Sequence, residues 1–399
     1  MRILYIHSTL EPPSTDPRTN RFLLLSEKLE GDVLQPIWFE TPQQVEEVFG
    51  PGSYPVYTLG KFRYHWCLVG ARGFLKRLAM FRFYIQKGRE IYKERRFDCI
   101  VAYSHMTSGV LAATLKLLTG ARCVVEIVTV PELAYIRQSP RPALWERVMK
   151  LYSDLCLHYS TLIADRAHFL YPRQLDRFPL LRRVPGSVFH EFVPVSTVNK
   201  DNAGEDPEKY ILLVGAPWYL KGADVLIKAF LRIAADFPNV RLRILGFYPD
   251  RAGMDVLTGG SPRIEIMKPR PNPEALALIR RAMVLVLPSR SEGLGRVLLE
   301  GMAAGIPLIG SDVGGIPTLV RDGENGFVVP VGDAEKLSER LRQLLQDPGL
   351  RRRMGEAGYR RAHADLDERA YVREFARMVE DAVGSRKARA AGAESVSAT

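Results

Sequence analysis

Residues 287–333 read LPSRSEGLGRVLLEGMAAGIPLIGSDVGGIPTLVRDGENGFVVPVGD. A hydrophobic strand ends at Pro288, and the chain turns through Ser289, Arg290, Ser291 and Glu292. Gly293 and Gly295 then bracket the start of a helix whose apolar face is Val297, Leu298 and Met302. Glycines at a strand-to-helix turn let a ligand approach the backbone, and a helix start offers unpaired N–H groups and the positive end of the helix dipole. Such a turn suits a phosphate. Two carboxylates, Glu292 before the helix and Glu300 within it, lie eight residues apart. An ionised carboxylate accepts hydrogen bonds from sugar hydroxyls, two at once when both oxygens are used. The plainer alternative is a solvated loop acid, a surface helix acid and a glycine turn that only packs a helix tightly on a strand. The conjunction weighs against it: strand end, EGLG, helix with Glu300, Gly305-Ile306-Pro307, a further strand, then Gly314-Gly315-Ile316-Pro317.

Outward from this stretch, strands and helices alternate. Tyr210 to Gly215 reads as a strand and Ala223 to Phe237 as a helix; Val240 to Leu245, Ile264 to Met267, Met283 to Leu287 and Pro307 to Ile309 follow as strands. The N-terminal half repeats the order. Strands are expected at Arg2 to Ser8, Val33 to Phe39, Phe97 to Tyr103, Cys123 to Val130 and Thr161 to Ala164, with helices near Phe22 to Leu29 and Gly109 to Leu118. Nearly continuous apolar strands between helices predict parallel sheets covered on both faces. Residues 192–209 are polar, with Pro, Gly and Asn, and read as a linker. Two α/β domains result, at residues 1–191 and 210–365. Such sheets bind ligands outside the carboxyl ends of their strands. Residues 366–384 form an amphipathic helix that needs a surface, and 385–399 a small, polar, flexible tail.

The 399 residues exceed one ordinary core of roughly 150. Hydrophobic residues make up 46% and charged residues 25%, which argues against long disorder. A formal charge of +11 favours phosphate-bearing partners. Cys67, Cys99, Cys123 and Cys156 are scattered without a CxxC pair, which points to a reducing compartment and away from structural zinc. No apolar run suits a signal-peptide core or approaches the ~20 residues of a membrane span. No metal-ligand cluster is evident; Asp365-Leu366-Asp367 satisfies a DxD pattern, but at a helix boundary, where it reads as capping. A cytoplasmic protein without a metal or other cofactor is expected.

The run EGLGRVLLE and its continuation GIPLIGSDVGGIPTLVRDGENGFVVPVGD resemble the nucleotide-sugar signature of the retaining glycosyltransferases of family 4, with its Glu-x7-Glu motif. The resemblance is specific over residues 210 to 345 and weaker, though order-preserving, over 1 to 190. It implies the GT-B fold: α/β, two facing Rossmann-like domains with parallel sheets and a cleft between them. It also implies that the C-terminal domain binds a nucleoside-diphosphate sugar and that the final helix crosses back to the N-terminal domain. Glu292 would meet the sugar hydroxyls. The amides around Gly293, Leu294, Gly295, Arg296 and Val297 would meet the diphosphate, and Glu300 the ribose. After the strand YILLVG, the run APWYLKGADVLIKAF resembles the family's second phosphate turn, and Lys221, before Gly222, fits its diphosphate-clamping lysine. Here the chain departs from the pattern. The family places an Arg directly after the glycine at Gly215, and this chain has Ala216, so Arg290, Arg296 or Arg251 substitutes, or donor use is altered. The resemblance implies transfer with retention by front-face attack, the leaving phosphate taking the acceptor's proton. Lys221 and the helix start would meet the charge on the diphosphate.

The N-terminal half is less explicit. Arg18 and Arg21 suit an acidic acceptor or phosphate, or else are solvated. Val128 stands where the family has a histidine; His105, in AYSHMTSG at a strand end, is the nearest imidazole and the candidate third catalytic residue, with His7 and Glu126 weaker. Residues 61–96 hold 11 Lys or Arg against Glu90 and Glu94, interleaved with aromatic residues. That mixture suits an anionic membrane surface or an ordinary helix with core rings; no nucleic-acid motif accompanies it. The resulting expectation is a transferase acting on a lipid-linked or polysaccharide acceptor of the cell envelope, peripheral to the cytoplasmic face of the membrane. The alternatives are a nucleotide-sugar epimerase or hydrolase on the same fold, and a non-catalytic binding subunit, which Ala216 and Val128 favour.

Overall fold

The computed structural model describes residues 1–7, 20–37, 39, 41–68, 74–128, 143–177, 179–198, 208–246 and 251–396. They form two units, one of described residues up to 189 together with those from 369 onward, the other of 190 to 368.

The first unit is built on eight strands: β1 (Arg2–Ile6), β2 (Glu30–Ile37), β3 (Val56–Leu59), β4 (Phe62–Leu68), β5 (Cys99–Ala102), β6 (Arg122–Ile127), β7 (Arg166–Phe169) and β8 (Gly186–Val188). Their order is β3-β4-β2-β1-β5-β6-β7-β8, parallel except at the β3–β4 edge. That edge departs from an all-parallel expectation. Gly60 and Lys61 alone join β3 to β4, and a two-residue connection permits only an antiparallel hairpin. Phe62, Tyr64 and Trp66 lie on β4 at a period of two, and all three are buried. With Tyr84 buried, and Phe81, Phe83 and Tyr92 packed against the core, the described rings of 61–96 are core side chains, whereas Arg82, Arg89, Lys93, Arg95 and Arg96 are exposed. Among the described residues, the rings of this stretch are therefore turned toward the core rather than gathered on a surface.

Thr161 to Ala164 is corrected from strand to helix end. A helix spans Ala143–Ile163, and Thr161 Oγ1 donates to the Leu157 carbonyl four residues back at 2.5 Å. The strand follows it as β7. A four-residue apolar run has no period long enough to separate the two structures. The four cysteines are free and buried, and burial pushes the Cys67 thiol up to about 11 and Cys123 to about 12.

The second unit carries β9 (Lys209–Val214), β10 (Val240–Leu245), β11 (Ile264–Met267), β12 (Val284–Leu287), β13 (Leu308–Ser311) and β14 (Gly326–Val329). The sheet is wholly parallel, in the order β11-β10-β9-β12-β13-β14. The helix Ala223–Ile233 buries Val225, Leu226, Ala229, Phe230 and Ile233 at helical spacing, in one core with Ile211 and Val284. The chain leaves β9 in one direction to β10 and returns on its other side to β12. β9 and β12 therefore flank the point where the strand order reverses, which brings the loops after them side by side. The last helix spans Glu368–Val396, running past the boundary at 384 read from composition. Among the described residues, no helix is long and apolar enough to cross a membrane.

Candidate functional site

Gly215 continues β9, its N–H donating to the Leu245 carbonyl at 2.9 Å, and Ala216 beyond it is exposed. A single helical turn, Trp218–Lys221, follows, closed by Gly222 at φ 72°. Gly222 has to be glycine: a Cβ there would lie 2.0 Å from the Pro288 carbonyl oxygen, in the loop after β12. The two loops are joined further. Arg290 N–H donates to the Leu220 carbonyl at 2.8 Å, and Arg290 Nη1 to the Tyr219 carbonyl at 2.6 Å. The guanidinium also grips Asp224 through two 2.7 Å bonds and lies 3.9 Å from the Tyr219 ring centroid. Arg290 therefore holds the loops together, and the expectation of a spare phosphate cation at this position is corrected to that of a latch. Among the described residues Arg296 is exposed and makes no such bond, and the side chain of Arg251 lies outside them.

That latch positions Lys221. Its Nζ lies 2.6 Å from Glu292 Oε2, with 19% and 11% of the two side chains exposed. Glu292 is fixed at both oxygens: Ser289 Oγ donates to Oε2 at 3.3 Å, and the Gly293 N–H to Oε1 at 3.2 Å. Ser289 is itself steadied, its carbonyl accepting from Ser311 Oγ at 2.5 Å. The loop after β13 closes the site from the other side. Gly315 N–H donates to the Gly293 carbonyl at 2.6 Å, and a Cβ at Gly314 would sit 2.0 Å from the Glu292 carbonyl oxygen. Leu294 is buried, anchoring the turn.

The helix Arg296–Ala303 starts at Gly295 and has no side-chain cap. Its first amides and dipole face the end at which Glu292 and Lys221 meet. Val297 is half-buried in the first turn, and Glu300 follows one turn in. Desolvation raises the Glu300 carboxyl above the usual carboxylate range, with the Arg296 charge opposing the rise. Its carboxylate has no hydrogen-bond or ion-pair partner among the described residues. A carboxylate in that condition gains most from a ligand's hydroxyls.

The second unit therefore gathers Gly215, Lys221, Glu292, Gly293, Gly295 and Glu300 around adjoining strand ends. Two contributors were missed in the sequence, Asp224 and Ser311, while Ser289 and Gly314 were read there only as parts of turns. Asp224 had a signal, an acid in the first turn of a helix beside a phosphate turn.

In the first unit the outcome differs. His105 has no accessible surface; its Nε2 lies 3.3 Å from Ser153 Oγ, and burial lowers its pKa to about 4. It is a core histidine, which corrects its reading as a catalytic imidazole. Arg21 is not a solvated cation. It donates to the Tyr5 hydroxyl at 2.5 Å and the Tyr371 hydroxyl at 3.5 Å, and its guanidinium stacks over Tyr5, Phe22 and Tyr103. Tyr5 in turn donates to Glu126, whose other oxygen meets His168 Nδ1 at 3.0 Å. Burial pushes the Glu126 carboxyl up, but the His168 hydrogen bond, the Arg21 charge and the Tyr5 hydroxyl together leave it below the usual range. His7 stacks on Tyr103 at 4.6 Å, its pKa held well below the ordinary value by burial and by Arg21. Arg21 thus joins the ends of β1 and β6 to the last helix. Val128 is buried; Arg18, and the segment 129–142 after Val128, lie outside the described residues.

Comparisons with known proteins bear on both units. Residues 196–361 match the family described as Glycosyl transferases group 1. A D-inositol 3-phosphate glycosyltransferase of Thermobifida fusca is 32% identical over 192 residues, 45% of this chain and 44% of that one. The alpha-D-kanosaminyltransferase of Streptomyces kanamyceticus is 26% identical over 265 residues, 62% of this chain and 68% of the relative. The match to the inositol-phosphate relatives thus spans less than half of their length. Among solved structures, sucrose-phosphate synthase from Thermosynechococcus elongatus aligns with TM-score 0.75 at 18% identity, covering 96% of this chain and 99% of that chain. Anabaena HepE in complex with UDP-glucose aligns with TM-score 0.67 at 14% identity, covering 96% and 100%. The fold is that of the GT-B class, two Rossmann-like units built on parallel sheets.

Proposed function

We propose that the protein is a glycosyltransferase that takes a sugar from a nucleoside diphosphate and transfers it, with retention of configuration, to a lipid-linked or polysaccharide acceptor of the cell envelope. The observation that carries this reading is the 2.6 Å Lys221–Glu292 pair, held on two adjoining loops at the bare start of the helix Arg296–Ala303. The match of residues 196–361 to a glycosyltransferase family, and the UDP-glucose in the HepE structure, support a nucleotide-sugar donor.

In the unliganded site Lys221 and Glu292 neutralise one another. A diphosphate brings more negative charge than one carboxylate, so it draws the ammonium and frees Glu292 Oε2 for the donor-sugar hydroxyls. The first-turn amides from Gly293 to Val297 then meet phosphate oxygens, and Glu300 recovers its desolvation cost by accepting from ribose hydroxyls. As the sugar–phosphate bond breaks, charge grows on the leaving diphosphate, where the ammonium and the helix start already stand. Glu292 orients the sugar rather than attacking it, and the leaving phosphate takes the acceptor's proton. The acceptor side falls to the first unit, at a cytoplasmic membrane surface.

Titration of UDP-, GDP-, ADP- and dTDP-sugars by thermal shift identifies the donor, since a ligand of the native state raises apparent stability. Lys221→Ala then weakens that donor's binding, and NMR of the product reports the anomeric configuration. Donor affinity unchanged in Lys221→Ala refutes the cradle. Donor consumed without acceptor points to an epimerase or hydrolase instead.

A further inference from the structure

The helix Ala143–Ile163 lies on the first unit in an unusual way. It rests on the helix Thr107–Thr119, with Ser160 Cβ against Gly109, and Ser153, Cys156 and Ser160 on this side are all buried. Its outward side carries Val148, Leu151, Tyr152, Leu155, Tyr159 and Leu162, all exposed, Leu155 at 61% and Leu162 at 86%. At 100° per residue these six fall within an arc of about 100°, an unbroken apolar stripe turned to solvent. Leu117 and Leu118 of the neighbouring helix are exposed as well. Isolated surface leucines need no explanation, but a contiguous stripe does.

The charges around the stripe say what covers it. Arg147 is exposed and borders the stripe, whereas half-buried Asp154 and exposed Lys150 lie further round the same helix. The helix Phe74–Glu94, which packs on the other side of Thr107–Thr119 in the same layer, exposes Arg82, Arg89 and Lys93 along one face, with the exposed acids Glu90 and Glu94 turned to its side. A second copy of this chain would bring the same cations and the same +11 to the contact. An anionic bilayer takes the leucines and tyrosines at the acyl boundary and the cations at its headgroups. We infer that this helix layer is a docking face for an anionic lipid surface, with the Ala143–Ile163 stripe as its apolar element. The inference deepens the membrane-surface part of the proposed function and relocates its apolar contact from residues 61–96. It can be read without donor or acceptor, so its failure would leave the transfer reaction untouched.

The test is sedimentation of the full chain with vesicles of phosphatidylcholine alone or with about 30% phosphatidylglycerol. Binding to the anionic vesicles should be at least about tenfold tighter. Leu155→Glu/Leu162→Glu, at positions outside the core, should bring it down to the neutral-vesicle level while leaving the thermal melt in place. Arg82→Glu/Arg147→Glu should weaken binding to anionic vesicles only. Equal binding to both vesicle types overturns the inference, as does anionic binding that survives the leucine substitutions. Disappearance of a dimer in Leu155→Glu/Leu162→Glu by analytical ultracentrifugation, without vesicle binding by the wild type, overturns it in favour of a second copy.

Discussion

Replacing Arg290 by alanine separates a latch from a phosphate ligand. The guanidinium makes two 2.7 Å bonds to Asp224, a 2.6 Å bond to the Tyr219 carbonyl and a ring contact at 3.9 Å, with 22% of the Arg290 side chain and 11% of Asp224 exposed. Stripping one partner from a fully buried pair costs about 3–5 kcal/mol, and this partial exposure reduces that to about 2. The charged bond to the carbonyl adds about 1.5 kcal/mol and the ring contact about 0.5. These contributions share one guanidinium and overlap, so Arg290→Ala should cost about 2–4 kcal/mol. A double-mutant cycle with Asp224→Ala, read by urea unfolding, should give a coupling of about 1–3 kcal/mol. Hydrogen exchange should quicken in the peptides around Leu220 and Arg290. Arg290→Lys keeps the charge but loses the fork, and should recover only part of the loss. A negligible coupling together with a selective loss of donor affinity would refute the latch and make Arg290 the missing phosphate cation.

Glu300→Gln should raise the melting temperature of the unliganded protein while weakening donor binding by about 1–3 kcal/mol, since the ionised carboxylate is penalised by burial until a ligand satisfies it; a lower melting temperature would count against an unsatisfied site. Gly314→Ala should cost at least about 2 kcal/mol and lower kcat/KM, because φ is +57° and the new Cβ would press on the Glu292 carbonyl; steady-state kinetics of a correctly folded variant with full activity would contradict it. His105 has a folded pKa of about 4 against an ordinary 6.5, so the unfolded chain binds its proton first. Its contribution is complete above pH 6.5 and is lost as pH falls toward 4, by about 3 kcal/mol in all. The pH dependence of unfolding between 7 and 4.5 should therefore be shallower in His105→Gln, and identical slopes would place the imidazole in solvent.

Much of the architecture was legible in the residues because it is a local matter. The strand ending at Pro288, the glycines of EGLG and the acids at Glu292 and Glu300 all sit within one turn and one helix, where spacing dictates which groups share an end. Lys221 was legible for the same reason, as a cation before a glycine at a strand-to-helix turn. Short apolar runs were not. Thr161 to Ala164 carries no decisive period, and Phe62, Tyr64 and Trp66 could be told from a helical mixture only once β4 had found its neighbours.

The order of residues in the chain thus settled most of the alternation of strands and helices and where a site for phosphate and sugar is to be sought, since steric limits at glycine and the period of apolar side chains act over a few residues. Folding in three dimensions settled the rest. Arg290 meets Asp224 across 66 positions because β9 and β12 are neighbours. His105 is sealed beneath Ser153, and Arg21 is drawn among tyrosines, because whether a polar side chain meets water or protein depends on what packs over it. Leu151, Leu155 and Leu162 remain outside while Leu157 of the same helix is buried, because among the described residues only one side of that helix has a neighbour. Burial is a property of the packed assembly of elements, and no window of the sequence contains it.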